Sequence, residues 1–221
     1  MPTPATPMLA TPTPAAERIL DAADRLLVRF GYRKMTIDDL AQEAGIGKGT
    51  VYLSFASKAD IALACIDRMA RRLLERLRAI AAGPGPAERR LHAMLVERVM
   101  HRFDYARPHS ASLDFMLASI RPRLLERREG YFRAEARTLA AVIDEGRRDG
   151  TFAVPDPADA AGAFVTATNA LLPYSLSVGE LGQRGEIQRR AETIAHLLLR
   201  GIVAGRRPHR RPQGAQKRIS R

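Results

Sequence analysis

At 221 residues the chain is long enough for one large or two small domains, and its 46% hydrophobic content excludes wholesale disorder. Thirty-six Lys and Arg against 24 Asp and Glu leave a formal charge of +12, so the default partners are polyanions: nucleic acid first, an anionic membrane surface second. The single Cys65 excludes an internal disulfide scaffold and fits a reducing cytoplasm.

Residues 1–14 repeat Pro and Thr with neither a basic n-region nor a long apolar h-region, which reads as a disordered tail rather than a secretory signal. Beyond them, period 3.6 patterns recur and period-two alternation is nearly absent, so the expected fold is all-α with about nine helices. Ile19, Ala22, Ala23, Leu26, Leu27 and Phe30 form one apolar stripe that stops at Gly31, where a C-cap glycine belongs. Thr36, with Asp39 three residues on, is close to a capping box and opens a short helix ending at Gly45. After Gly47, residues 48–53 allow only a turn or two more of helix. Two short helices joined by a tight Gly-containing turn are helix-turn-helix geometry.

Ser57 and Asp60 start a longer helix, whose stripe of Ile61, Cys65, Met69, Leu73, Leu77 and Ile80 holds register for about 24 residues, a rod of about 36 Å. Gly83-Pro84-Gly85-Pro86 ends it and reads as a hinge or linker between halves. Further helices are expected at about 87–106, 111–120, 123–149, 157–177 and 186–204, with Pro108, Pro122, Gly150, Pro155, Gly179, Gly182 and Gly185 between them. Ala160 to Gly179 are twenty uncharged residues, enough to cross a bilayer. Thr166, Thr168, Asn169, Pro173, Ser175 and Ser177 lower the hydropathy and no aromatic belt flanks the run, so it reads as a helix buried against protein.

The chemistry of the short-helix region is that of a polyanion reader. Ile37, Leu40, Ala41, Ile46, Val51 and Phe55 supply the apolar contacts that pack two short helices on the first one. Lys48, Thr50, Tyr52 and Lys58 are left for solvent or a ligand: a cation and hydroxyls beside free helix N–H groups make a small phosphate-and-base reading surface. Thr36 to Ile61, together with Phe30-Gly31-Tyr32, the Ala44-Gly45 turn, Gly49-Thr50-Val51-Tyr52, Phe55 and Lys58, resembles the DNA-binding domain of the TetR family of transcriptional regulators. The resemblance is specific over residues 15 to about 65. It implies that Lys48 and Thr50 enter the major groove, that Tyr52 and Lys58 clamp the backbone, that Thr36 meets a phosphate, and that Gly47 and Gly49 allow close approach. Many family members carry His or Tyr where this chain has Ser54, so one backbone contact is shortened or lost.

Other chemistries fit poorly. Gly45-Ile46-Gly47-Lys48-Gly49-Thr50 lacks the third glycine of a dinucleotide fingerprint and the Ser or Thr directly after the Lys of a P-loop. His92, His101, His109, His196 and His209 have neither i, i+4 pairing nor Cys partners, so no metal site or cofactor is expected, and Cys65 lies on an apolar stripe rather than in a reactive setting. Asp144-Glu145, Glu126 and Glu129 sit among arginines and read as solvated ion pairs, so no enzyme is expected.

The chain therefore divides into the tail 1–14, a three-helix DNA-binding domain at 15–60, a helical ligand-binding and dimerisation domain at 61–205, and a basic disordered tail at 206–221. Ala160, Ala163, Phe164, Ala167, Ala170 and Leu171, then Ile187, Ala191, Ile194, Leu198 and Ile202, give the last two helices apolar faces, which the resemblance implies form a homodimeric four-helix bundle. Phe103, Phe115, Met116 and Tyr131 suit a pocket for a small, largely hydrophobic effector of unidentified class. The expected function is a cytoplasmic, dimeric, ligand-responsive repressor of a pseudo-palindromic double-stranded operator, with no membrane partner; the alternative is a ligand-independent architectural or nucleoid DNA-binding protein. Bulk charge does not locate the reader. Seven positive charges lie after Gly205, and residues 15–58 carry seven bases against six acids.

Overall fold

The computed structural model describes residues 12–173 and 182–204, which form eight α-helices and no β-sheet. They are α1 (Pro14–Lys34), α2 (Ile37–Ala44), α3 (Lys48–Ser54), α4 (Lys58–Ala81), α5 (Ala87–Ala106), α6 (Ser110–Arg148), α7 (Pro157–Thr168) and α8 (Arg184–Ile202). Residues 1–11 of the expected N-terminal tail, residues 174–179 of the uncharged run and the basic tail 206–221 lie outside the described residues. Thr13 caps α1 by accepting the Ala16 N–H at 3.2 Å, and Pro14 follows where its missing N–H costs nothing.

The local signals in the first half become structure where they stand. Gly31 adopts φ 74° and ψ 166°, breaking α1 as expected, and one further turn runs to Lys34. The Thr36 capping box closes fully: the hydroxyl accepts the Asp39 N–H at 3.1 Å, and Asp39 accepts the Thr36 N–H at 3.0 Å. Gly45 ends α2 at φ 64°, a left-handed position that disfavours other residues. Leu40, Ala41 and Val51 are buried, and Ile37, Ile46 and Phe55 are half-buried against the same core.

The helix expected over 157–177 ends at Thr168, where a 3-10 turn follows, and two further expectations for the second half are corrected. Residues 111–120 and 123–149 do not form separate helices: α6 runs for 39 residues through Pro122, about 58 Å, which lowers the helix total from nine to eight. Pro122 removes one backbone hydrogen bond, but Met116, Ile120 and Leu124 are buried on both sides of it, and packing of α6 on α1 and α4 holds the axis. The Gly83–Pro86 breaker is no linker between halves. It turns α4 directly into α5, which packs beside it, and Arg90 donates across the turn to the carbonyls of Ala81 (2.5 Å) and Gly85 (3.1 Å).

The core is continuous from the short helices into the long ones. One cluster joins Leu26, Leu40 and Val51 to Ile66, Phe103, Met116 and Tyr131, and a second fills the far end with Leu77, Leu91, Leu139, Phe164 and Leu199. Between α5, α6 and α7 lies a buried polar centre. Arg98, 0% exposed, donates to Glu135 (2.6 Å), Thr168 (2.5 Å) and Asn169 (2.6 Å), while Arg102 donates to the other oxygen of Glu135 and to the Arg98 carbonyl. Burial alone would favour the neutral acid, but Arg102 and Arg98 outweigh it and hold the Glu135 carboxyl below the usual range.

Phe164, Val165, Thr168, Leu171 and Leu172 are buried, so the described part of the uncharged run is buried on one face rather than on both. Among the described residues no single helix is long and apolar enough to cross a membrane. Ile187, Ala191 and Ile202 of α8 pack into the subunit's own core, with Ile194 and Leu198 half-buried. Ala163, Thr166 and Ala170, in the segment that starts with α7, and Leu197 on α8 remain exposed.

Candidate nucleic-acid interface

The α2–turn–α3 unit sits on α1, with α3 packed inward through Val51 alone among its fully buried residues. At 100° per residue, Val51 points to the core while Lys48, Tyr52, Gly49 and Leu53 follow one another across the opposite face. All four are exposed, Tyr52 by 52% and Leu53 by 89%. Thr50 is half-buried at the edge of that face, and its carbonyl accepts from the Ser54 hydroxyl at 3.2 Å. Gly47 is the exposed N-cap of α3, and open space surrounds both it and Gly49.

The cations of this unit are held by neighbours. Lys48 reaches Asp38 at 2.8 Å, and that hydrogen bond and charge raise the ammonium above its ordinary value. Lys58 turns inward: its ammonium donates to the carbonyls of Tyr32 (3.0 Å), Arg33 (3.4 Å) and Met35 (3.1 Å) and lies 4.7 Å from the Tyr32 ring centroid. It therefore satisfies the carbonyls that α1 leaves open after Gly31 and ties α4 to them. The Thr36 hydroxyl is engaged in its cap, donating to Asp39 at 2.7 Å, and the bonds to Thr36 hold the Asp39 carboxyl below the usual range. Of the seven residues proposed to meet DNA, five lie on α3 or at its N-cap, Thr36 caps α2, and Lys58 braces α4 against the end of α1. Leu53 was not among them; position 53 shares the helical face of Gly49, a relation visible in the spacing.

Behind the reader, α1 and α4 are fastened to the long helices by acids. Arg68, 2% exposed, donates to Glu17 (2.9 Å), Asp21 (2.7 Å) and Asp24 (2.7 Å), three turns of one α1 face. Burial works against its charge, but the Glu17 hydrogen bond and the Asp24 and Asp21 carboxylates outweigh it and raise the guanidinium above its ordinary value. Tyr105 of α5 donates to Asp24 at 3.0 Å. From α6, Tyr131 and Arg127 donate to Asp67, and Arg123 to Asp60, both acids of α4. Sequence reasoning missed Arg68; the signal was the i, i+4, i+7 spacing of Glu17, Asp21 and Asp24, three like charges on one face that call for a cation.

Tyr105 and Tyr131 also line a small cavity with Ile66, Met69, Met116, Leu117, Leu124 and Phe132, about 50 Å³. The four residues proposed for a ligand pocket divide evenly. Met116 and Tyr131 lie on this wall, whereas Phe103 is buried in the core, and Phe115 is exposed beside Tyr32 (ring centroids 6.2 Å) and Arg33 (5.0 Å). Cys65 is buried, and burial, with Asp24 adding, pushes its thiol well up, so it is no nucleophile. No group of His, Cys, Asp and Glu among the described residues is arranged to hold a metal.

Residues 19–65 match the model of the bacterial regulatory proteins of the tetR family. The fatty acid metabolism regulator protein of Bacillus subtilis is 31% identical over 64 residues, covering 29% of this chain and 33% of that protein. The chain thus spans about a third of the length of that curated relative. A transcriptional regulator from Cytophaga hutchinsonii superposes with a TM-score of 0.72 at 19% identity, over 85% of this chain and 98% of its own. A TetR/AcrR-family regulator from Thermobifida fusca does so with a TM-score of 0.59 at 26% identity, over 88% and 100%. With a capped helix-turn-helix at residues 36–55 and the family match across it, residues 19–65 of this chain are a DNA-binding domain of the TetR family of transcriptional regulators, carried on an all-helical body with the fold of such regulators.

Proposed function

We propose that the chain is a dimeric repressor that reads a pseudo-palindromic operator through α3 and releases it when a small molecule enters the α4–α6 cavity. The observation that carries the reading is the solvent-facing α3 surface of Lys48, Gly49, Tyr52 and Leu53, presented by a rigidly capped α2. Residues 15–60 act as the reader and 61–205 as the sensing and pairing unit. The exposed, uncharged surface of Ala163, Thr166, Ala170 and Leu197 supports pairing of α7 and α8 with their symmetry mates, which sets two readers on one duplex. Such a regulator works in the cytoplasm, where the buried Cys65 needs no partner.

Release follows from the cavity wall. Tyr105 and Tyr131 each hold, through one hydroxyl, an acid on α1 or α4. A ligand that engages those hydroxyls loosens Asp24 and Asp67, so ligand and operator favour different settings of α1 and α4. Selection of bound sequences from random duplex DNA tests the function. A two-fold symmetric consensus is expected, and broad enrichment without symmetry would favour the architectural alternative.

Asp38 restrains Lys48 in the free protein, so Asp38→Asn is expected to strengthen binding to a random-sequence duplex about threefold to tenfold near 0.1 M salt. The log–log salt dependence should steepen by about one unit. Anisotropy titrations showing unchanged affinity and slope would mean that the Asp38 pair does not hold Lys48 back from the duplex.

A further inference from the structure

Across the exposed face of α3 the order is Lys48, Tyr52, Gly49, Leu53, with Thr50 at the far edge. That face holds no Asn or Gln to read an adenine edge, no Arg, and no Asp or Glu to accept from cytosine, so Lys48 alone on it can read a guanine edge. Its cation, Lys48, stands at one side beside Asp38. Its other half is carbon: the bare backbone of Gly49, with open space around it, and the side chain of Leu53, 89% exposed. A single exposed leucine is commonplace on a protein surface. This one stands on the helix that faces the duplex, with a glycine one turn before it that lets the helix approach.

Resting on the operator-reading function, we infer that Leu53 is a specificity-determining residue that reads the C5-methyl group of a thymine in the major groove. Thymine presents the methyl group of the major-groove pattern, and apolar side chains are its ordinary readers. Gly49 brings the groove floor within reach of the helix, and Leu53 closes over the methyl from the side. Thr50, through its own methyl group, extends the same surface toward a neighbouring base. Lys48 and Tyr52, on the other edge, meet a guanine or the backbone. The half-site is then read through thymine methyl groups on one edge of the helix and by Lys48 and Tyr52 on the other.

Uracil differs from thymine by that methyl alone, so the test uses the sequence enriched from random DNA, with each thymine replaced by uracil symmetrically in both half-sites. The wild-type protein is expected to lose about fourfold in affinity per half-site at the contacted position, about fifteenfold for the pair. Leu53→Ala is expected to bind thymine and uracil operators within twofold of each other. Its thermal melting should stay unchanged, because Leu53 is 89% exposed in the free protein. A wild-type uracil scan that is flat at every position overturns the inference, as does Leu53→Ala retaining the full preference for thymine. If no sequence is enriched at all, the operator-reading function fails first and this inference with it.

Discussion

Glu135→Ala is expected to lower unfolding stability by about 3–5 kcal/mol, a large share of the ~5–15 kcal/mol typical of a whole domain. The carboxylate is 2% exposed and accepts from both Arg98 and Arg102. Truncating it leaves two buried guanidiniums without the anion they share, and Thr168 and Asn169 compensate Arg98 only with neutral oxygens. Glu135→Gln keeps the shape and one acceptor and is expected to cost about half as much. Replacing Arg98, Arg102 and Glu135 together by apolar residues of similar volume should cost less than Glu135→Ala alone, because no charge is then stranded. Urea titrations of the three variants give the comparison, and a Glu135→Ala midpoint within error of wild type would remove the buried centre from the stability of the fold.

The same site sets an acid limit. The Glu135 carboxyl lies below its ordinary value in the folded state, so the unfolded chain binds the proton more readily in that range. Its contribution is complete above the ordinary glutamate range near 4.3 and is lost as the pH falls through that range toward the folded value. Wild-type stability should therefore decline faster below about pH 4.5 than that of Glu135→Gln, which has no carboxyl to titrate.

What the sequence reveals is what neighbours along the chain decide. The stripe from Ile19 to Leu27, the Thr36 box, the Gly31 and Gly45 breaks and the α3 face depend on residues within one or two turns, and each is in place. The brace, the clamp and the buried centre depend on partners far away. Lys58 finds carbonyls 23 to 26 residues back, Arg68 its acids 44 to 51 residues back, and Arg98 reaches Glu135 37 residues on. A lysine opening a helix reads as solvated, and an arginine within an apolar stripe reads as a boundary residue. Only the packed chain brings their partners to them. The α6 helix shows the converse: Pro122 is a strong local breaker, overridden because the flanking turns bury Met116, Ile120 and Leu124. For the same reason Phe103 and Phe115 could not be sorted from Met116 and Tyr131 by composition, since all four are apolar bodies on helices that touch the cavity region.

Arg68→Met is expected to open the reader while sparing the rest of the protein. The arginine meets Glu17, Asp21 and Asp24 together, and it does so from α4, whose Ile66 and Met69 line the cavity. Without it three carboxylates face a methionine across the α1–α4 contact. Arg71 still engages Glu17 at 3.1 Å and Tyr105 still donates to Asp24, so the acids are partly compensated. Water also reaches them, which places the loss at about 2–3 kcal/mol, below that of a fully buried pair. Because the strain falls between α1 and α4, it should appear as local opening rather than global unfolding. Amide hydrogen exchange should lose protection through α1, α2 and α3, while α5 and α8 around Leu91, Leu95 and Leu199 keep theirs. Operator affinity should fall with it, since fewer molecules hold the reader in its docking geometry. Uniform loss of protection in all helices would make Arg68 a general core residue. Unchanged protection in α1–α3 would mean that the apolar contacts of Ile19, Leu26 and Ile61 suffice to hold the reader, and that the acid clamp is not what couples α4 to it.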